Sequence, residues 1–206
     1  MFAVIFEVQP KPDRWDQYLG LAKQLRPELE RIDGFIENER YRSRRTEGRL
    51  LSLSIWTDEK AVIRWRTHAM HHGVQEKGRF EVFEDYHLRV GELTADTQLP
   101  AGAALNQQRF DTTAVGTAPV VSICEGGSVP DAPAEGVHDA ELYESITSAG
   151  RLLRLIAWAD SDAAEAWRPA ATVRHRQVRV IRDYGMHDRR EAPQFYPDVA
   201  RPGHRG

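Results

Sequence analysis

The sequence contains a single cysteine, Cys124, among 206 residues. That excludes an intrachain disulfide and any cysteine-based metal cluster. It also suits a reducing compartment. Lysine is scarce: of 28 basic residues only Lys11, Lys23, Lys60 and Lys77 are lysine, and the rest are arginine. Neither sign of charge dominates, with 28 basic against 31 acidic residues and a net charge of −3. No nucleic-acid partner is expected, because its footprint is a basic surplus. Long hydrophobic runs are missing. Stretches such as Phe2 to Phe6 fall far short of the ~18 residues that cross a bilayer. No basic segment precedes that stretch, and Glu7 follows it, so a signal peptide is not expected. These absences predict a cytoplasmic protein with no membrane partner. Also missing are a GxGxxG loop opening a helix, a Walker loop, a GxSxG elbow and an HExxH helix. What is there is 41% hydrophobic residues, enough for a core, in a length that admits one large domain or two small ones.

The chain repeats itself. Residues 48–66 (GRLLSLSIWTDEKAVIRWR) and 150–168 (GRLLRLIAWADSDAAEAWR) match at ten of nineteen positions, at an offset of 102. The identities include Trp56/Trp158, Asp58/Asp160, Trp65/Trp167 and Arg66/Arg168. Upstream, Glu39/Glu141, Tyr41/Tyr143 and Ser43/Ser145 keep the same offset, and Asp85-Tyr86 pairs with Asp183-Tyr184 downstream. Such self-similarity marks a duplication.

In the first copy, Phe2 to Val8 reads as a strand. Asp13 is placed to cap a helix, and Trp15, Tyr18, Ala22, Leu25, Leu29 and Ile32 recur at helical spacing. Pro27 predicts a kink or break in it. Phe35–Ser43 and Leu50–Trp56 read as a hairpin around Thr46-Glu47-Gly48. Asp58 caps a second helix running through Trp65, and a closing strand follows between Arg79 and Val90. The order βαββαβ is ferredoxin-like. In the second copy Val120–Glu125 is the first strand. The Gly- and Pro-rich stretch after it leaves no room for the first helix, and Pro169 shortens the second. The predicted fold class is α+β: two ferredoxin-like repeats pairing antiparallel sheets into an α+β barrel, the second repeat lacking its first helix. The predicted units are a complete domain at 1–95, a linker at 96–118, a degenerate repeat at 119–187 and a tail at 188–206.

Three stretches then carry a resemblance: Ile32-Asp33-Gly34-Phe35, Ser54 to Glu59 (SIWTDE), and Trp65 to Arg79 (WRTHAMHHGVQEKGR) followed by Asp85-Tyr86. With them, the first copy resembles the antibiotic-biosynthesis monooxygenase family of dimeric α+β barrels. The resemblance implies that two ferredoxin-like units cover each other's sheets, here as an intrachain pseudo-dimer, with further homo-oligomers open. It implies a cofactor-independent monooxygenase of a small aromatic molecule, phenolic or polyketide-like, using molecular oxygen as co-substrate with no metal or flavin. A non-catalytic small-molecule-binding or assembly module of the same fold stays open. A haem-degrading monooxygenase is disfavoured, because Gln75 stands where that branch has a histidine and the first strand holds no Asn.

The densest chemical cluster is His68, His71 and His72. It reads as a pocket acid/base pair at His71 and His72, as a metal or haem ligand set, or as a solvated helix end. Helical phase places His72 nearer the Trp65 face, whereas the family pattern matches His71, six residues after Trp65. A helix break near Ala69 reconciles the two. Trp65 and Tyr41 are candidates to stack on a substrate, with core packing as the alternative for each. Asn38 and Arg79 are candidates to hold an oxyanion, and His68 completes the substrate-binding set. Glu7 and Glu125 fall at matching places in the two first strands.

Overall fold

The computed structural model describes residues 1–99 and 101–199. The elements are β1 (Phe2–Pro10), α1 (Trp15–Glu30), β2 (Phe35–Ser43), β3 (Leu50–Trp56), α2 (Glu59–Thr67), α3 (Ala69–Lys77) and β4 (Phe83–Asp96), then β5 (Val120–Gly126), β6 (Val137–Ser145), β7 (Leu152–Trp158), α4 (Ser161–Ala166) and β8 (Arg174–Gly185). All ladders are antiparallel, and the strands close into one eight-stranded barrel in the order β1-β3-β2-β6-β7-β5-β8-β4. Strands β2 and β6 pair over Tyr41 to Ser43, and β4 and β8 pair along most of their length. Closure leaves no free sheet edge. Among the described residues no helix is long and apolar enough to cross a membrane.

Alternation along each strand sorts side chains between two environments. On β1, Ala3 and Ile5 point into the barrel, where they meet Leu53, Ile55, Val121, Ile123, Leu155 and Val178. Phe2 and Val8 point outward, under the helices of the first half. Both faces of the strand are buried, which explains why its sequence is nearly continuous in apolar residues. In the second half, Trp158 and Ile156 are covered by short α4, Trp167 and the Ala132 loop. No helix forms between β5 and β6.

Local signals held or failed for identifiable reasons. Asp58 caps α2, its carboxylate accepting from Ala61 N at 2.8 Å. Asp13 does not cap α1. It sits inside a short 3-10 turn, Pro12–Arg14, that runs into the helix. Pro27 does not break α1, which continues to Glu30. One buried stripe, Tyr18, Ala22, Leu25 and Leu29, spans the proline, and packing outweighs the lost hydrogen bond. The strand expected from Arg79 begins later, because a π turn, Gly78–Val82, precedes β4.

Polar clusters sit inside both ends of the barrel. At one, Glu7 accepts from the Tyr143 hydroxyl at 2.7 Å and from Arg89. At the other, Glu125 accepts from the Tyr41 hydroxyl at 2.7 Å, from Arg151 at 2.8 Å and from Arg176 at 2.9 Å. Burial, and then the adjacent carboxylate, raise both phenols well above the usual tyrosine range. Burial pushes Glu7 up, but Arg89, the Tyr143 hydroxyl and His87 outweigh it and hold the carboxyl below its ordinary value.

Two outcomes follow. Arg89→Met strands a buried carboxylate and should lower unfolding free energy by ~3–5 kcal/mol, with the Glu7→Leu/Arg89→Met pair recovering most of it in urea melts. The depressed Glu7 carboxyl contributes stability that is complete above about pH 4.3 and is lost as pH falls below it. Glu7→Gln should therefore flatten the acid limb of the stability profile.

Candidate active site

A cavity of about 200 Å³ lies between the outer face of the first-half sheet and α1, α2 and α3. Its walls are mostly apolar, with Val4, Phe6, Leu25, Val62, Leu88 and Val90 among them. The segment carrying Pro193, Gln194 and Tyr196 closes one side. A wider and more open recess of about 930 Å³ lies over the Glu7 end of the barrel, with polar and apolar residues mixed along its walls.

The helix break determines the chemistry of the cavity. Helix α2 stops at Thr67, His68 takes an extended conformation (ψ 128°), and α3 restarts at Ala69. In an unbroken helix the Trp65 carbonyl would accept from Ala69 N. Here it accepts from His68 N at 3.2 Å and lies 2.9 Å from His71 Nδ1. The His71 ring stacks on the Trp65 indole, centroids 4.1 Å apart and planes 13° from parallel. A carbonyl can only accept, so Nδ1 carries the hydrogen and Nε2 keeps a free lone pair. Burial is the main cause that pushes the His71 pKa down, to about 4, with the neighbouring histidines adding to it. His71 is therefore a neutral hydrogen-bond acceptor on the cavity wall.

The other candidates divide. Trp65, Asn38 and Arg79 line the same cavity as His71. Asn38 donates to Ser52 Oγ and to the Leu53 carbonyl, both at 3.0 Å. Those bonds orient its amide, and its Oδ1 has no protein donor among the described residues. Arg79 is 2% exposed and its terminal nitrogens serve the protein: they donate to the Met186 carbonyl at 2.7 Å, the Tyr86 hydroxyl at 3.1 Å and the Pro197 carbonyl at 3.2 Å. Tyr41 is not in the cavity. From Glu37 onward the odd-numbered positions of β2 face the barrel interior, where the Tyr41 hydroxyl bonds Glu125. His68 lies outside too, 3.8 Å from Glu28. His72 is exposed and props the closing segment, its ring stacked on Tyr196 and its Nδ1 3.1 Å from the Tyr196 hydroxyl. Among the described residues no three His, Cys, Asp or Glu side chains gather as a metal site.

Sequence reasoning missed the wall supplied from outside residues 1–95. Arg182 and Tyr184 come from β8, and Arg189 and Tyr196 from the closing segment. One signal was present: Asp183-Tyr184 repeats Asp85-Tyr86, and Tyr86 also lines the cavity. Phe195 is 90% exposed, while Tyr196 makes the contact with His72.

The imidazole reading has a direct check. The His71 ring should titrate by NMR with a midpoint near pH 4 and show the Nδ1–H form at pH 7; a midpoint near the ordinary ~6.5 removes the acceptor role. Because the folded pKa is depressed, its contribution to stability is complete above ~6.5 and falls between there and pH 4.

Comparisons with known proteins agree with this architecture. Residues 1–77 match the antibiotic biosynthesis monooxygenase family. The jasmonate monooxygenase ABM of Pyricularia oryzae is 45% identical over 218 residues, covering 97% of this chain and all of that protein. A shorter match, 36% identical over 50 residues, joins 24% of this chain to 44% of the uncharacterised protein YqjZ of Bacillus subtilis. An aldoxime dehydratase crystallised with butyraldoxime shares the fold at a TM-score of 0.56 and 11% identity, over 87% of this chain and 79% of that one. With a break that returns a histidine to its tryptophan, an apolar cavity beside it and a full-length relative at 45% identity, the chain belongs to the antibiotic biosynthesis monooxygenase family.

Proposed function

We propose that the chain is a monooxygenase whose substrate, a small and largely apolar molecule, binds in the cavity beside His71. The observation that carries this is the neutral His71 acceptor on the wall of a mostly apolar cavity. The name of the Pyricularia relative makes jasmonate the first substrate to test. An electron-rich phenol is the second. The cavity, at about 200 Å³, is smaller than the ~300 Å³ at which ligand pockets begin, so the substrate is small or the 193–196 segment moves to admit it. That volume does not fit haem.

In this reading, His71 Nε2 accepts a hydrogen bond from an enol or phenol O–H of the substrate. A base of such low pKa takes up only an acidic proton, which restricts it to an ionisable O–H or an activated C–H. Asn38 Oδ1 supplies a second polar contact, and Trp65 holds the imidazole. The resulting anion can reduce O₂ directly. An activated CH₂ plus O₂ then gives a carbonyl plus water, with all four electrons from the substrate. Hydroxylation of a plain C–H differs, because forming the alcohol and water takes two electrons and two protons from an external reductant. Oxygen uptake with and without a reductant separates the routes.

We also propose that residues 1–95 and 119–187 descend from one βαββαβ unit joined through the 96–118 linker. The reciprocal Tyr41–Glu125 and Tyr143–Glu7 bonds support that view, since each spans the halves at equivalent positions. One chain then supplies both parts of a barrel that a homodimer otherwise builds.

His71→Ala should slow oxygen uptake with the accepted substrate by ~10²-fold or more, measured at a temperature where the variant is fully folded. Uptake at the wild-type rate would remove His71 from the chemistry. A ligand that binds tightly with no oxygen consumed would favour the binding-module reading, which the modest cavity volume supports.

A further inference from the structure

Among the described residues, five arginines line the cavity, Arg40, Arg66, Arg79, Arg182 and Arg189, against one acid, Glu59. The chain as a whole is acidic, at −3. The one acid is already taken: Arg109 holds both Glu59 oxygens at 2.8 Å and bonds Asp111 as well. Two of the arginines also serve the protein. Arg79 is bonded as described, and Arg189 donates to the Tyr86 hydroxyl at 2.6 Å and the Gln194 carbonyl at 2.8 Å. Arg40 stands across the sheet on β2, away from β8.

Arg66 and Arg182 are different. Arg66 lies in the last turn of α2, seven residues from Glu59 and on the same helix face. Arg182 stands on β8 opposite Val90 of β4, beside that face. Both arginines and Tyr184 line the one cavity, and Arg182 and Tyr184 stand two positions apart on the same face of β8. Among the described residues, neither guanidinium has a carboxylate partner, and Arg66 Nε is buried without any acceptor. Arg182 acts on Asp111 only at longer range, and Asp111 is bonded to Arg109. Two like charges beside an apolar wall repel each other and lose hydration, which is costly unless an anion joins them. A guanidinium fork matches the two oxygens of a carboxylate.

We propose that Arg66 and Arg182 form the anion-binding end of the cavity and that its ligand is a small apolar carboxylate. This rests on the cavity being the substrate site proposed above. The carboxylate sits between the two guanidinium groups near Tyr184, and the carbon body lies along Val62, Leu88 and Val90 toward His71.

Binding tests this without turnover. Octanoate, 1-octanol and octylammonium have similar size and opposite or no charge. Calorimetry at pH 7 should find octanoate bound at least about tenfold more tightly than 1-octanol, with octylammonium weakest. Arg182→Gln and Arg66→Gln should each remove most of that preference while leaving 1-octanol affinity within about twofold. Arg182→Lys should restore part of it, which a merely structural role would not. Equal affinity for the three probes, binding of none, or an undiminished preference in both glutamine variants overturns the proposal. Octanoate preference together with no oxygen uptake on any substrate would leave the anion site standing and end the monooxygenase reading.

Discussion

Two buried carboxylates, each bonded to a tyrosine from the other half of the barrel, hold the halves in register. Glu7 on β1 meets Tyr143 on β6, and Glu125 on β5 meets Tyr41 on β2. A one-residue slip of the β2–β6 ladder would turn the tyrosine of the slipped strand to the opposite face and leave its carboxylate without the hydroxyl donor. An arginine at each end, Arg89 or Arg176, neutralises the charge that burial would otherwise make prohibitive. The sheet face that carries the cavity is the reverse side of this arrangement. Its residues point toward the helices because their neighbours in sequence point into the barrel.

The architecture was largely legible from residues, because internal sequence repetition and period-two alternation both leave marks in a linear chain. The repeat of residues 48–66 at 150–168 and the shortage of helix-forming residues between β5 and β6 both correspond to structure. Helix ends were less legible. Pro27 and Asp13 carry strong local preferences, and tertiary packing overrode one while a 3-10 turn absorbed the other. The site was half legible. Trp65, His71, Asn38 and Arg79 share a cavity, whereas Tyr41 was misplaced because strand phase depends on which face the barrel takes. The arginines and tyrosines from β8 and beyond are brought in only by the β4–β8 ladder, which no local pattern encodes.

The break at His68 shows how a small departure from regular geometry produces a chemical group. The same residues in a continuous helix would give a histidine with an ordinary environment. The interruption frees one carbonyl, which then fixes a tautomer, and the stacked indole shields the ring from water. Desolvation keeps the ring neutral, so its role is accepting rather than donating.

Covalent continuity between the halves has an evolutionary meaning. In a homodimer every substitution is made twice, once in each subunit, so neither pocket can change alone. Here β5 to β8 lie in the same chain as β1 to β4, and the halves are free to specialise. The second half has no helix between β5 and β6 and covers its outer face with α4, Trp167 and a loop, at no cost to the packing around His71. It could also lend Arg182 and Tyr184 to its partner's cavity with no matching change required in return. A symmetric homodimer could not make that trade. In this barrel the outer face of the first half carries the cavity, and that of the second half is filled by its own side chains.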